Sequence, residues 1–154
     1  MNINQLIVFT LEEQEYGIDI SYTKEIVRIP PITKIPNMPS FMEGVINLRG
    51  KVIPVINLKK KFAFAQSEKT MDHRLLILDL EGINLGIIVD DVSEVVKINE
   101  QAIEKLSTEI ATIGGNSVNG IAKIDQRLIL LLNALELKKR DFNSTIMKGS
   151  CLYD

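Results

Sequence analysis

The chain has 154 residues, a formal net charge of -2, 45% hydrophobic residues, one cysteine, one histidine and no tryptophan. That length carries a prior of about one domain, large enough to bury a core without metal or disulfide support. One cysteine excludes an intrachain disulfide framework, one histidine beside it does not make a typical zinc site, and the near-neutral charge gives no broad basic footprint for nucleic acid.

The first apolar run, Leu6 to Phe9, follows no positive segment and is too short for a signal peptide. Longer runs such as Leu128 to Leu132 fall far short of the roughly 20 residues of a membrane helix. The chain therefore reads as cytoplasmic and soluble. LIVFTL at 6–11 predicts a strand, the polar Glu12–Glu15 a turn, and YGIDI and KEIVRI two further strands. GVINL and KVIPVINL flank Arg49-Gly50, a two-residue hairpin signal. Pro54 inside that second strand points to an edge strand or a bulge, since proline cannot donate to the ladder. Asn57 reads as the N-cap of a short helix over 58–62, and Lys59-Lys60-Lys61 as its solvated face. Residues 63–73 form a polar seam. LLILDL at 75–80 predicts the next strand, Gly82 the following turn, and Asp90-Asp91 an acidic strand end. Ile103, Leu106, Ile110 and Ile113 have helical spacing and predict a short amphipathic helix. Asn133 reads as the N-cap of a helix over 134–142. Residues 143–154 lack a period and read as a loose tail, with Cys151 an incidental thiol there.

The chain is written twice. YGIDISYTKEIVRI (16–29) aligns with LGIIVDDVSEVVKI (85–98) at an offset of 69, with Gly17/Gly86, Ile18/Ile87, Glu25/Glu94 and Ile29/Ile98 identical. GVINLRGKVIPVINL (44–58) aligns with GIAKIDQRLILLLNA (120–134) at an offset of 76, with Gly44/Gly120, Ile53/Ile129 and Asn57/Asn133 identical. The matches are collinear, and internal repetition takes precedence over any single motif. Half a chain of this length makes a marginal core, so the two copies should pack on each other.

The sequence holds no phosphate-binding GxxxxGK[ST], no GxGxxG, no GxSxG elbow and no HExxH. Asp90-Asp91 is replaced by Ser21-Tyr22 in the first copy, so these carboxylates are not part of the repeated unit. No catalytic, cofactor or metal residues are expected. The residue with the best claim to a role is Arg49. On a tight, glycine-enabled turn it projects a planar fork of donors, suited to a carboxylate or to backbone carbonyls. In the repeat frame it faces Asp125, so the copies differ at this turn. The segment SYTKEIVR, 21–28, is the second candidate.

GVINLRGKVIPVINL, preceded by YGIDI and KEIVRI, closely resembles CheW, the coupling family of bacterial chemotaxis, over about residues 5–140. The resemblance implies a mainly β fold: two intertwined five-stranded SH3-like barrels related by a pseudo-twofold axis, with short helices. It implies one domain over 5–142, a first barrel over about 15–66, and a second over about 73–142 with 5–14 shared. It implies an adaptor without enzymatic activity or cofactor, linking the cytoplasmic tip of methyl-accepting chemotaxis receptors to the regulatory domain of the CheA kinase in membrane-associated arrays, and monomeric on its own. Carried onto this sequence, the receptor side is Thr23, Glu25, Val27, Gly44 and Arg49, in a groove where the barrels meet, and the kinase side is His73 and Arg74. The same family includes CheA regulatory domains and CheV-type adaptors; an initiating Met and an end soon after the second copy favour a standalone coupling protein. A small enzyme and a nucleic-acid-binding barrel are the alternatives of other classes.

Overall fold

A computed structural model describes residues 5–62, 73–106 and 118–138. Eleven strands are described: β1 (Gln5–Leu11), β2 (Gln14–Asp19), β3 (Thr23–Arg28), β4 (Met42–Leu48), β5 (Lys51–Asn57), β6 (Arg74–Leu80), β7 (Ile83–Val89), β8 (Asp91–Lys97), β9 (Ile103–Lys105), β10 (Val118–Ile124) and β11 (Arg127–Leu132). Short helices α1 (Leu58–Lys61) and α2 (Ala134–Lys138) follow β5 and β11. One sheet runs β3-β6-β7-β5-β4 and the other β8-β1-β2-β11-β10-β9.

The repeat explains this order. Each copy sends its first hairpin into the other copy's sheet: β1–β2 joins β8, β10 and β11, while β6–β7 joins β3, β4 and β5. The barrels are therefore not divided at about 15–66 and 73–142. The first is built from residues 23–57 and 74–89, the second from 5–19, 91–105 and 118–132. The physical reason lies in the apolar runs LIVFTL and LLILDL. A strand apolar on consecutive residues needs cover on both faces. In β1, Leu6 and Val8 face the second barrel's interior, while Ile7, Phe9 and Leu11 join a larger core between the barrels. In β6, Leu75 and Ile77 face the first barrel's interior, while Leu76, Leu78 and Leu80 join the same central core. Phe9 stacks on Tyr16 at 5.9 Å in that central core, and burial raises the Tyr16 phenol above its usual pKa.

The second sheet has six strands rather than five, because residues 103–105 pair with β10. They form a strand where helical spacing was expected; the free edge of β10 offers backbone donors and acceptors that an extended segment satisfies. Residues 107–117 lie outside the described residues. The first barrel holds the counterpart of β9 in reduced form, a single bridge of Thr33 to Val45. Val45 spends both its N–H and its C=O on Thr33, at 2.9 and 2.8 Å. Pro54 sits opposite Val45. The pair thus exchanges no hydrogen bonds, and the parallel ladder to β7 begins only at Val55. Pro54 is accordingly tolerated in an interior strand, neither at an edge nor in a bulge. The register shift lies in β4, between Met42 and Gly44.

Asn57 caps α1 as expected, accepting from the Lys59 and Lys60 amides. The three lysines that follow are not a solvated face. Lys59 is 5% exposed and reaches Glu12 at 3.0 Å and Asp90 at 2.9 Å. Lys60 pairs with Glu43, and Lys61 lies over the Phe41 ring. Residues 139–142 of the expected second helix, the 63–72 part of the seam, the tail 143–154 and Cys151 lie outside the described residues.

Candidate interaction site at the barrel mouths

Arg49 and Gly50 close the β4–β5 hairpin with φ of 52° and 84°. Two positive φ values in sequence make the turn type whose twist matches the flanking strands. Asn47 accepts the Gly50 amide at 2.9 Å and fixes the turn from one side. From this base the Arg49 fork grips Glu25 on β3: Nη1 donates to Oε2 at 2.6 Å and Nη2 to Oε1 at 2.8 Å. β3 and β4 are the two outer strands of the sheet, so the pair staples the curled sheet shut. The hydrogen bonds from Arg49 hold the Glu25 carboxyl below its usual range despite some burial, and Glu25 in turn raises the Arg49 pKa. Arg49 stays 71% exposed, Glu25 22%. Beside the pair lies a cleft of about 240 Å³ with an apolar floor of Leu48, Ile53 and Ile77 and with Lys24 and Lys51 at its rim.

The structure brings Glu25 and Arg49 together and sets Val27 near them. Thr23 is not on the same face. A register shift between Thr23 and Glu25 interrupts the alternation of β3. Glu25 and Val27 sit opposite Ile77 and Leu75, which face the barrel interior; Thr23 sits opposite Leu78, which faces the central core. Its Oγ1 is buried without a hydrogen-bond partner among the described residues. Gly44 is buried and offers no side chain to a partner. Its φ is 137°, and a Cβ there would stand 2.1 Å from the Thr33 carbonyl oxygen. Its place is fixed by the close approach of Thr33. The cleft itself opens at one barrel's mouth, while the space between the barrels is filled by the central core.

The second barrel carries the same staple in another frame. Glu94, the counterpart of Glu25, accepts from Arg127 Nη2 at 2.6 Å, and Glu15 accepts from Arg127 Nε and Nη2 at 2.9 and 2.5 Å. Arg127 occupies the repeat position of Lys51, two residues on from that of Arg49. It is 37% exposed. Hydrogen bonds from Arg127 hold the Glu15 carboxyl below its ordinary value, and the two carboxylates raise the Arg127 pKa. Sequence reasoning missed Arg127, Lys24 and Lys51. The available signal was the charge at matched repeat positions: Lys24 faces Ser93 as Arg49 faces Asp125, while Lys51 and Arg127 keep a cation in both copies.

The two residues expected on the kinase side differ in their setting. His73 is 8% exposed, with Nε2 3.3 Å from Asp90. It belongs to a cluster with Lys59, Asp90 and Glu12 that ties α1 to the turns of β1–β2 and β7–β8. Burial pulls the Lys59 pKa down, and the hydrogen bonds to Asp90 and Glu12 outweigh it and raise the value. Asp90 also accepts the Glu12 amide at 2.9 Å. Asp90 is therefore a hub rather than a simple strand end. Arg74 opens β6, is half-buried, and donates to the His73 carbonyl at 3.1 Å. Among the described residues no group of three or more His, Cys, Asp or Glu could hold a metal ion, and no helix is long and apolar enough to cross a membrane.

Comparisons with known proteins agree with this architecture. The family model described as CheW-like domain matches residues 5–141. A chemotaxis protein CheW from Treponema pallidum is 33% identical over 86% of this chain and 81% of its own length. One from Helicobacter pylori is 33% identical over 90% and 83%. Among solved structures, the scaffolding protein TtCheW from Thermoanaerobacter tengcongensis superimposes with a TM-score of 0.76 at 43% identity, over 86% of this chain and 90% of that one.

Proposed function

We propose, for a chain that belongs to the CheW-like domain family, that it is a non-enzymatic adaptor coupling methyl-accepting chemotaxis receptors to the CheA histidine kinase at the cytoplasmic face of the membrane. The observation that carries this reading is the Arg49–Glu25 cleft, a rigidly based cationic fork beside an apolar floor. An amphipathic receptor helix laid along such a cleft buries its apolar face while its polar edge meets the fork. Glu25, Val27 and Arg49 supply the contact in this reading. Gly44 acts by letting Thr33 close over β4, and Thr23 by packing behind β3. The kinase contact is assigned to the start of β6, at the half-buried Arg74, with His73 supporting it from the Asp90 cluster.

Neither contact has to be tight. Many weak contacts in an array gain effective concentration through multivalency. A rigid two-barrel body then transmits receptor geometry to the kinase as a coupling free energy between two sites. Co-sedimentation with a receptor signalling fragment and CheA tests the proposal. The chain should bring the kinase down with the receptor in a ternary complex. Failure to bind either partner, or kinase sedimentation independent of the chain, would overturn it.

A further inference from the structure

Among the described residues the chain passes between the barrels twice: through the three-residue turn Ile20–Tyr22, between β2 and β3, and through Asp90 alone, between β7 and β8. The one-residue crossing is held from both sides. From the first barrel, Lys59 of α1 meets Asp90 Oδ1 at 2.9 Å, and His73, at the entry to β6, places Nε2 3.3 Å from the same oxygen. From the second barrel, the Glu12 amide donates to Asp90 Oδ2 at 2.9 Å, and the Asp90 amide donates to the Thr10 carbonyl at 3.0 Å. Lys59 also reaches across to the Glu12 carboxylate at 3.0 Å. Glu12 and Glu13 hold φ of 49° and 69° in the β1–β2 turn, where the matched turn of the other copy has Gly82 at its second position. Such backbone persists only where its surroundings hold it. At the other crossing, Ser21 and Leu135 stand in the repeat positions of Asp90 and Lys59. Neither carries a charge, and Asp19 caps its own turn there by accepting the Ser21 amide at 3.0 Å.

We propose that Lys59, Asp90 and Glu12 form an ionic lock on a hinge between the barrels, and that the lock fixes the angle at which the body holds its two partners. The second half rests on the adaptor reading above; the lock itself does not. Apolar packing in the central core is non-directional, and packed layers joined that way can slide or tilt. A cation shared by two carboxylates, one on the crossing and one on the facing turn, admits one arrangement. The Lys59 side chain is 7% exposed, so salt screens the lock little. Buried ionic groups are best attested as devices that set register rather than as sources of stability. A body free to bend at Asp90 would keep each contact surface and lose the geometry between them.

The test uses the full chain. On a Cys151→Ser background, spin labels at Val52→Cys and Leu128→Cys, exposed positions on the two barrels, report the distance between them. The wild type should give one narrow distribution at low and high salt alike. Lys59→Leu/Asp90→Asn, which removes both charges together, should broaden it about twofold or more. Glu12→Gln should broaden it less, and Ser21→Ala at the other crossing not at all. Without labels, the double variant should bind a receptor signalling fragment and CheA separately as the wild type does, yet activate the kinase about tenfold less in the ternary complex. Wild-type width in the folded double variant would overturn the lock; should that variant not fold, wild-type width in Glu12→Gln would do so. A broadened distribution with wild-type kinase activation would overturn the role in coupling and leave the adaptor reading standing. Failure of the wild type to form the ternary complex would overturn the adaptor reading and the coupling role together, with the distances still deciding the lock.

Discussion

The two barrels close their mouths with the same glutamate and different arginines. In the first barrel the arginine comes from a left-handed turn residue, meets one carboxylate and stays largely in solvent. In the second it comes from the first position of a strand, meets two carboxylates and is half as exposed. Duplication preserved the acceptor at Glu25 and Glu94 and moved the donor by two residues. The lesson is a division of labour: a strand-borne arginine between two acids suits closure, while a turn-borne arginine with one acid keeps donors free for a partner.

The largest test of this asymmetry lies behind the mouths, at the paired glycines. Gly44→Ala drives a Cβ into the Thr33 carbonyl at positive φ and should cost about 3 kcal/mol or more in denaturant unfolding. Gly120→Ala meets the Glu104 carbonyl at 3.2 Å without positive φ and should cost about 1 kcal/mol. Equal losses would erase the difference between the single bridge at Thr33 and the full strand β9. Next comes Lys59, whose counterpart in α2 is the partly buried Leu135. Lys59→Leu should copy the second barrel's solution yet lose about 2 kcal/mol, because Asp90 keeps its charge and loses its cation. Adding Asp90→Asn should return part of that loss. Arg127→Ala should cost about 1 kcal/mol, a figure kept low because solvent screens the staple.

The smallest effect is on acid stability. The Glu15 carboxyl is held below its ordinary 4.5 chiefly by hydrogen bonds from Arg127. Its contribution is present above the unfolded value and is lost as pH falls through the lower folded value. The second staple should therefore persist near neutral pH and weaken beneath about 4.5, and Glu15→Gln should flatten that acid limb in a thermal-melt series.

Most of the fold was legible in the repeat. The offsets of 69 and 76 marked every pair of corresponding strands, and Asn57 announced its helix. The exchange of hairpins was not read. Its signal was the consecutive burial demand of LIVFTL and LLILDL, which one barrel alone cannot meet. The site was legible where a turn exposes a charged residue, as at Arg49. It was illegible where the charge depends on a distant strand. Lys59 looked like surface because its acids lie far away in sequence, at Glu12 and Asp90. Thr23 looked like a companion of Glu25 because alternation hides a bulge that only the partner strand reveals.

The central claim is that one staple serves contact and the other closure. Arg49→Ala and Arg127→Ala, measured side by side for receptor-fragment affinity and melting temperature, test it most directly. The account predicts a crossing: Arg49→Ala loses affinity with little change in melting temperature, and Arg127→Ala loses melting temperature with affinity retained. Parallel losses in both variants, or an Arg49→Ala that binds as the wild type does, would contradict it.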